Sequence, residues 1–214
     1  MQGRFPKICR VALFAAQALV LAFPTVAAAQ SRPPITAEVQ KHILREPGAP
    51  LLGSAAADVT VVEYFDYNCP FCKELAPAFH PFIDKDGAAA VLYKEWPIFG
   101  GVSVYAARSA LAANYQGKYL QAHDALISSP RLTENSQVDA TLKGAGIDMA
   151  QLGKDLVTHE AAIDGLLRRN DAEARALGLR GTPGVLVGRR IGAGISNLET
   201  LQSAVAASRR AADR

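Results

Sequence analysis

The sequence predicts an α/β domain with an all-helical subdomain inserted between its strands, on three observations. A β-branched and aromatic run from Val59 to Phe65 breaks into Cys69-Pro70-Phe71-Cys72. A second apolar run, Ala89 to Glu95, follows a short helical pattern. From Ser103 onwards alanines and large apolar residues then recur at helical spacing until strand-forming residues return at Val185-Leu186-Val187.

The first 29 residues read as a secretory signal peptide outside the fold. Arg4, Lys7 and Arg10 form a basic start, Val11 to Phe23 is apolar apart from Gln17, and Ala27-Ala28-Ala29 is a small-residue cleavage pattern. The apolar stretch is short against the roughly 20 residues of a membrane span; an uncleaved anchor is the alternative. Cys9 precedes the apolar core, which does not fit a lipoprotein cysteine. The chain carries a formal charge of +3, and this segment holds three basic residues and no acidic one, so the mature chain is balanced at 20 basic against 20 acidic. No basic patch or charge run points to nucleic acid.

Residues 30–50 form a leader with one short helix, Ile35 to Arg45, which places Val39, Ile43 and Leu44 on one side. That helix is either an oligomerising arm or, as its shortness favours, a helix lying on its own domain. The main domain runs over 51–208, with the helical insert at about 101–165. After the Cys-x-x-Cys, Pro77 predicts a kink near Leu75 or Ala76. Helical pattern resumes through Phe79 and Phe82 and stops at Asp86-Gly87. In the insert the spacing predicts one helical stretch from Ser103 to about Leu126, then Leu132 to Leu142 and Met149 to Leu156 on either side of Gly144-Ala145-Gly146. A longer amphipathic helix follows from Ala161 to Leu177. The chain closes with a turn into a strand over Gly181 to Gly188, a short partner strand from Arg190 to Ala193 and a helix from Leu198 to Ala207. The tail at 209–214 is polar and expected to fray.

Chemistry concentrates in the Cys-x-x-Cys. Pro70 suits a first helical turn, so the two cysteines open a helix. The free N–H groups and dipole there favour an anion, which makes Cys69 the low-pKa thiolate and Cys72, one turn on, the more buried resolving thiol. Structural zinc needs four ligands, but the sequence has no second cysteine pair, and His42, His80, His123 and His159 form no paired ligand motif. In an exported chain whose mature form keeps just these two cysteines, the pair reads as reactive rather than as a staple. No metal and no organic cofactor is implied.

Strand, Cys-Pro-Phe-Cys and helix, a helical insert, and then Gly181-Thr182-Pro183 before a strand resemble the DsbA-like branch of the thioredoxin superfamily, a family of periplasmic thiol-disulfide oxidoreductases. Lys94-Glu95-Trp96-Pro97, Ser103 and Ala106-Ala107-Arg108 extend the resemblance, which covers roughly Ala49 to the C-terminus. It implies a thioredoxin fold, Cys69 as the exposed nucleophile, and Pro183 as a cis-proline. The Thr182 backbone would be presented to an extended peptide. It also implies that Glu63, six residues before Cys69, is a buried acid able to take or give the proton of Cys72; the residues alone leave a surface carboxylate as the alternative. The family's strongly oxidising members are associated with a histidine where Phe71 stands, so a less stabilised thiolate and a less oxidising disulfide are expected here. Phe71 offers an apolar contact surface, and Gly184 is expected to leave the substrate groove open.

The function implied is disulfide exchange with cysteine-containing exported proteins, oxidase first and isomerase or reductase second, recycled by a membrane redox partner. A chaperone-like binding protein, in which the insert holds unfolded chains and the dithiol is secondary, is the alternative from another class. The oligomeric state is left open.

Overall fold

The structure is a computed structural model, and it describes residues 34–192 and 194–213. The signal-peptide reading lies outside the described residues, as does Ala193. Among the described residues no helix is long and apolar enough to cross a membrane.

A five-stranded mixed sheet organises the domain. Its strands are β1 (Leu51–Gly53), β2 (Val59–Phe65), β3 (Ala89–Glu95), β4 (Gly184–Val187) and β5 (Arg190–Gly192), in the order β1-β3-β2-β4-β5. β2 and β3 run parallel, and the other neighbours are antiparallel. The central strands are buried on both faces, as their unbroken apolar runs predict. The three-residue β1 at the edge has no periodic signal and was not anticipated.

The helices are α1 (Ala37–Leu44), α2 (Pro70–Leu75), α3 (Phe79–Asp86), α4 (Gly101–Ala113), α5 (Tyr119–Ser128), α6 (Asn135–Gly144), α7 (Met149–Thr158), α8 (Glu160–Ala176) and α9 (Leu198–Ala212). Pro77 interrupts the motif helix as expected: α2 gives way to a 3-10 turn at Ala76–Ala78, and α3 continues to the left-handed cap at Gly87 (φ 68°). Two expectations are corrected. The stretch from Ser103 to Leu126 is two helices, because a 3-10 turn and Gly117, at φ 68°, reverse the chain between α4 and α5. The tail at 209–214 does not fray from its start: α9 runs to Ala212, since Arg209 forms paired hydrogen bonds with both Asp58 and Asp86 at 2.7–2.8 Å.

Two apolar clusters flank the sheet. The larger joins Val61, Phe65, Val91 and Tyr93 to α2, α3, α9 and the insert. The smaller joins Val62, Tyr64 and Leu92 to Trp96, Ala174 of α8 and Ile43 of α1. Fully buried Ile43 shows that α1 lies on its own domain, while Val39 is exposed.

Candidate active site

The dithiol sits where a central strand leaves the sheet. Cys69 is the N-cap of α2 with an extended backbone (φ −76°, ψ 118°), Pro70 occupies the first helical position, and the Lys73 N–H donates to the Cys69 carbonyl at 3.1 Å. Both cysteines are free thiols. The chain from Thr182 to Pro183 is cis and faces them: the Cys69 thiol donates to the Thr182 carbonyl at 3.1 Å. The structure thus brings together Cys69, Cys72, Thr182 and Pro183.

The two sulfurs are electrostatically unequal. The Cys72 thiol, donating to the Cys69 sulfur, pulls the Cys69 pKa down to about 6 against the opposing effect of burial. The Thr182 side chain and the N–H groups of Phe71 and Cys72 at the helix start add to that pull. Burial pushes Cys72 far up, reinforced by its bond to Cys69 and by the charge of Glu63.

Glu63 is 2% exposed, so the surface-carboxylate alternative is excluded. It stands in mid-β2 between Tyr93 of β3 and Val185 of β4. Burial, then the charge of Cys69, raises its pKa well above the carboxylate range.

Two expectations need correction. Cys69 is 1% exposed rather than an open nucleophile, because the thiol lies in the core cluster with its hydrogen aimed at the Thr182 carbonyl. Gly184 does not open a groove. It is buried, and a Cβ there would stand 2.5 Å from Leu179 Cδ1, so the missing side chain makes room for Leu179. Phe71, by contrast, is 64% exposed.

Sequence reasoning missed the scaffold under these residues. Buried Asp66 accepts from the Asn68 N–H (2.7 Å), Ser103 Oγ (2.7 Å), and the N–H groups of Ile98 (2.6 Å) and Phe99 (2.9 Å). Asn68 in turn exchanges hydrogen bonds with the Leu132 backbone at 2.8 and 3.0 Å. One carboxylate and one amide therefore pin the motif loop to the β3–α4 loop and to the insert. Ile98 and Phe99, hung from this clamp, and Val104 on α4 are exposed apolar side chains like Phe71. Lys73 is equally engaged: its Nζ donates to the carbonyls of Ser129 (2.7 Å), Ile127 (3.1 Å) and Leu126 (3.3 Å), satisfying the C-terminal end of α5. The available signal was a run of polar residues, Asp66, Asn68 and Lys73, around a motif on a buried strand, where each needs a partner. Among the described residues no group of three or more His, Cys, Asp or Glu is arranged to hold a metal ion.

Residues 60–206 match the DSBA-like thioredoxin domain family. A thioredoxin-like oxidoreductase from Silicibacter pomeroyi DSS-3 is 36% identical, with a TM-score of 0.75 over 80% of this chain and 98% of that one. The thiol-disulfide exchange protein alpha-DsbA2 of Wolbachia pipientis is 26% identical, with a TM-score of 0.74 over 79% and 92% of the two chains. The Na(+)/H(+) antiporter NhaA 3 of Salinispora tropica is 28% identical over 156 residues, which are 72% of this chain and 24% of the antiporter. The chain spans about a quarter of the length of the curated relatives it matches first.

Proposed function

The chain belongs to the DSBA-like thioredoxin domain family, and on that premise we propose that it forms disulfides in exported proteins by thiol-disulfide exchange through Cys69 and Cys72. In the oxidised enzyme a substrate thiolate attacks the Cys69 sulfur, the Cys69–Cys72 bond breaks, and Cys72 leaves as a thiolate that takes a proton from Glu63. A second substrate thiolate then attacks the mixed disulfide and releases Cys69 as the thiolate that the helix start stabilises. The substrate leaves with a disulfide, and the enzyme retains both electrons as a dithiol. Thr182 and Pro183 align the incoming chain, and Phe71 gives it an apolar contact.

The single observation that carries this reading is the asymmetry of the pair, a Cys69 thiol lowered to about 6 beside a Cys72 thiol pushed far up. A stabilised leaving thiolate favours the dithiol form and so makes the disulfide an oxidant. The signal peptide directs the protein to the periplasm, where a membrane redox partner reoxidises the dithiol. Ion transport is outside the proposal: the matched segment is 24% of the antiporter, and no described helix can span a bilayer.

The equilibrium reduction potential of purified mature protein in glutathione buffers, recorded with its mass in solution, tests the direction. A potential well above that of thioredoxin, about −270 mV, in a monomer is the expected result. A potential at or below it, especially in an oligomer, would replace the oxidase with an isomerase or reductase kept reduced.

A further inference from the structure

A second acid lies behind the dithiol. Residues paired across the parallel β2–β3 ladder share a face, and the ladder sets Glu63 opposite Tyr93 and Phe65 opposite Glu95. Both carboxyls therefore point to the side that carries Cys69 and Cys72. Glu95 is 1% exposed, and each acid keeps one oxygen without a hydrogen-bond partner, Oε1 of Glu63 and Oε2 of Glu95.

Their other surroundings differ. Glu95 Oε1 accepts from the Tyr67 hydroxyl at 2.8 Å and from the Tyr119 hydroxyl at 2.9 Å. Tyr67 belongs to the loop that delivers Cys69, and Tyr119 opens α5 of the insert. Burial raises both acids; the two phenols pull Glu95 back down, and the charges of Asp66 and Glu63 oppose them. Two carboxyls in one buried site do not ionise together. Glu95 has two phenol donors and Glu63 Oε1 has none, a geometry that favours the first negative charge on Glu95 although the charge of Glu63 is among the influences that raise it.

We propose that Glu95 is a positioning residue for disulfide exchange: with Tyr67 and Tyr119 as donors it carries the buried charge that holds Glu63 in its acid form, ready to protonate Cys72. The inference rests on the proposed role of Glu63. In the step concerned, the attacking thiolate's sulfur bonds to Cys69, the Cys69–Cys72 bond breaks, and the electron pair leaves on Cys72. The proton of Glu63 moves to the Cys72 sulfur, so Glu63 becomes the carboxylate. The titratable groups facing Glu95 are Glu63 on β2, Asp66 and Tyr67 in the following loop, Tyr93 on β3, and Tyr119 and His123 on α5. His123 Nδ1 lies 3.3 Å from the Tyr67 hydroxyl, and burial lowers its pKa to about 3, so it stays neutral over the range tested.

The experiment reacts oxidised protein with glutathione and measures the rate of mixed-disulfide formation by acid quench and mass spectrometry. The rate is divided by the glutathione thiolate concentration and followed from pH 5 to 10. In the wild type the normalised rate falls as Glu63 loses its proton. Glu95→Gln removes the neighbouring charge, so Glu63 ionises sooner and the fall comes about one pH unit lower, about fivefold slower at the wild-type midpoint. Tyr119→Phe, which deprives the Glu95 charge of one donor and leaves the motif loop untouched, shifts it the same way and serves if the first variant does not fold. Glu63→Gln flattens the profile. Variants of Glu95 and Tyr119 that fall at the wild-type pH, with Glu63→Gln flat, overturn the proposal and leave the role of Glu63 standing. A fall that persists in Glu63→Gln removes both. Uniform slowing at every pH, or flat profiles in wild type and Glu95→Gln alike, also overturns the coupling.

Discussion

The two faces of the central sheet treat buried charge in opposite ways. On the α8 face, Lys94 is fully buried with its Nζ 2.8 Å from Glu173 Oε2, charge-matched though off-axis for a hydrogen bond. Tyr64, its ladder partner, donates to the same oxygen at 2.7 Å, and Trp96 Nε1 donates to Asp171 at 2.9 Å. One residue along each strand, on the dithiol face, Glu63 and Glu95 are just as buried, yet each has an oxygen that nothing meets. On the α8 face the buried Lys94 charge has an opposite charge beside it, although its Nζ and Asn170 Oδ1 of α8 make no hydrogen bond. On the dithiol face neither buried acid forms an ion pair among the described residues, and each unsatisfied oxygen costs stability.

The comparison breaks most visibly at the sulfurs. Cys69→Ser should abolish turnover of a disulfide-forming model peptide, while Cys72→Ser should accumulate the mixed disulfide on non-reducing gels; residual turnover in the first variant would remove Cys69 from the mechanism. Next in size is Lys94→Met, which leaves Glu173 with only Tyr64 and should cost about 3 kcal/mol in urea unfolding. Its exchange rate should match the wild type, and a large loss of rate would mean that the two faces are not separate. A smaller effect concerns pH. Alkylation of Cys69 by iodoacetamide should rise with a midpoint near 6. Because the folded pKa lies below the free-thiol value of about 8.5, the unfolded chain binds more protons between the two. Reduced protein should therefore gain stability over Cys69→Ser as pH rises from about 6 to 8.5, and lose that gain on acidification. A thermal-melt difference that does not change with pH would refute the depressed thiol. Smallest is Phe71→His, which places a donor beside the thiolate and should move the 240 nm absorbance midpoint below that of the wild type. Each tenfold gain in thiolate stability would raise the potential by about 30 mV. An unchanged midpoint would show that Phe71 is a contact residue alone.

Much of this was legible along the chain because it rests on local periodicity. The strand Val59–Phe65, the helix opened by Cys69 and Pro70, the interruption at Pro77 and the stop at Gly87 each follow from residues within a few positions. The break at Gly117 was hidden by apolar spacing that continued across it, and β1 by its length. The dithiol and the acid six residues before it could be named, but not the burial of Cys69 or the orientation of Gly184 toward Leu179. The first depends on Thr182, more than a hundred positions away, and the second on how the chain folds back between Leu179 and Gly184.

By itself the sequence determined the Cys-x-x-Cys at a helix start and the α/β frame, because helix-start signals and strand patterning are written in neighbouring residues. Only the tertiary structure decided which buried polar groups are satisfied. Asp66 finds its donors at Ile98, Phe99 and Ser103, Lys94 finds Glu173, and Glu95 finds Tyr67 and Tyr119, whereas Glu63 Oε1 finds none. Satisfaction of a buried charge is a property of the neighbours that folding supplies, and those neighbours lie up to 79 positions apart in the chain, as between Lys94 and Glu173.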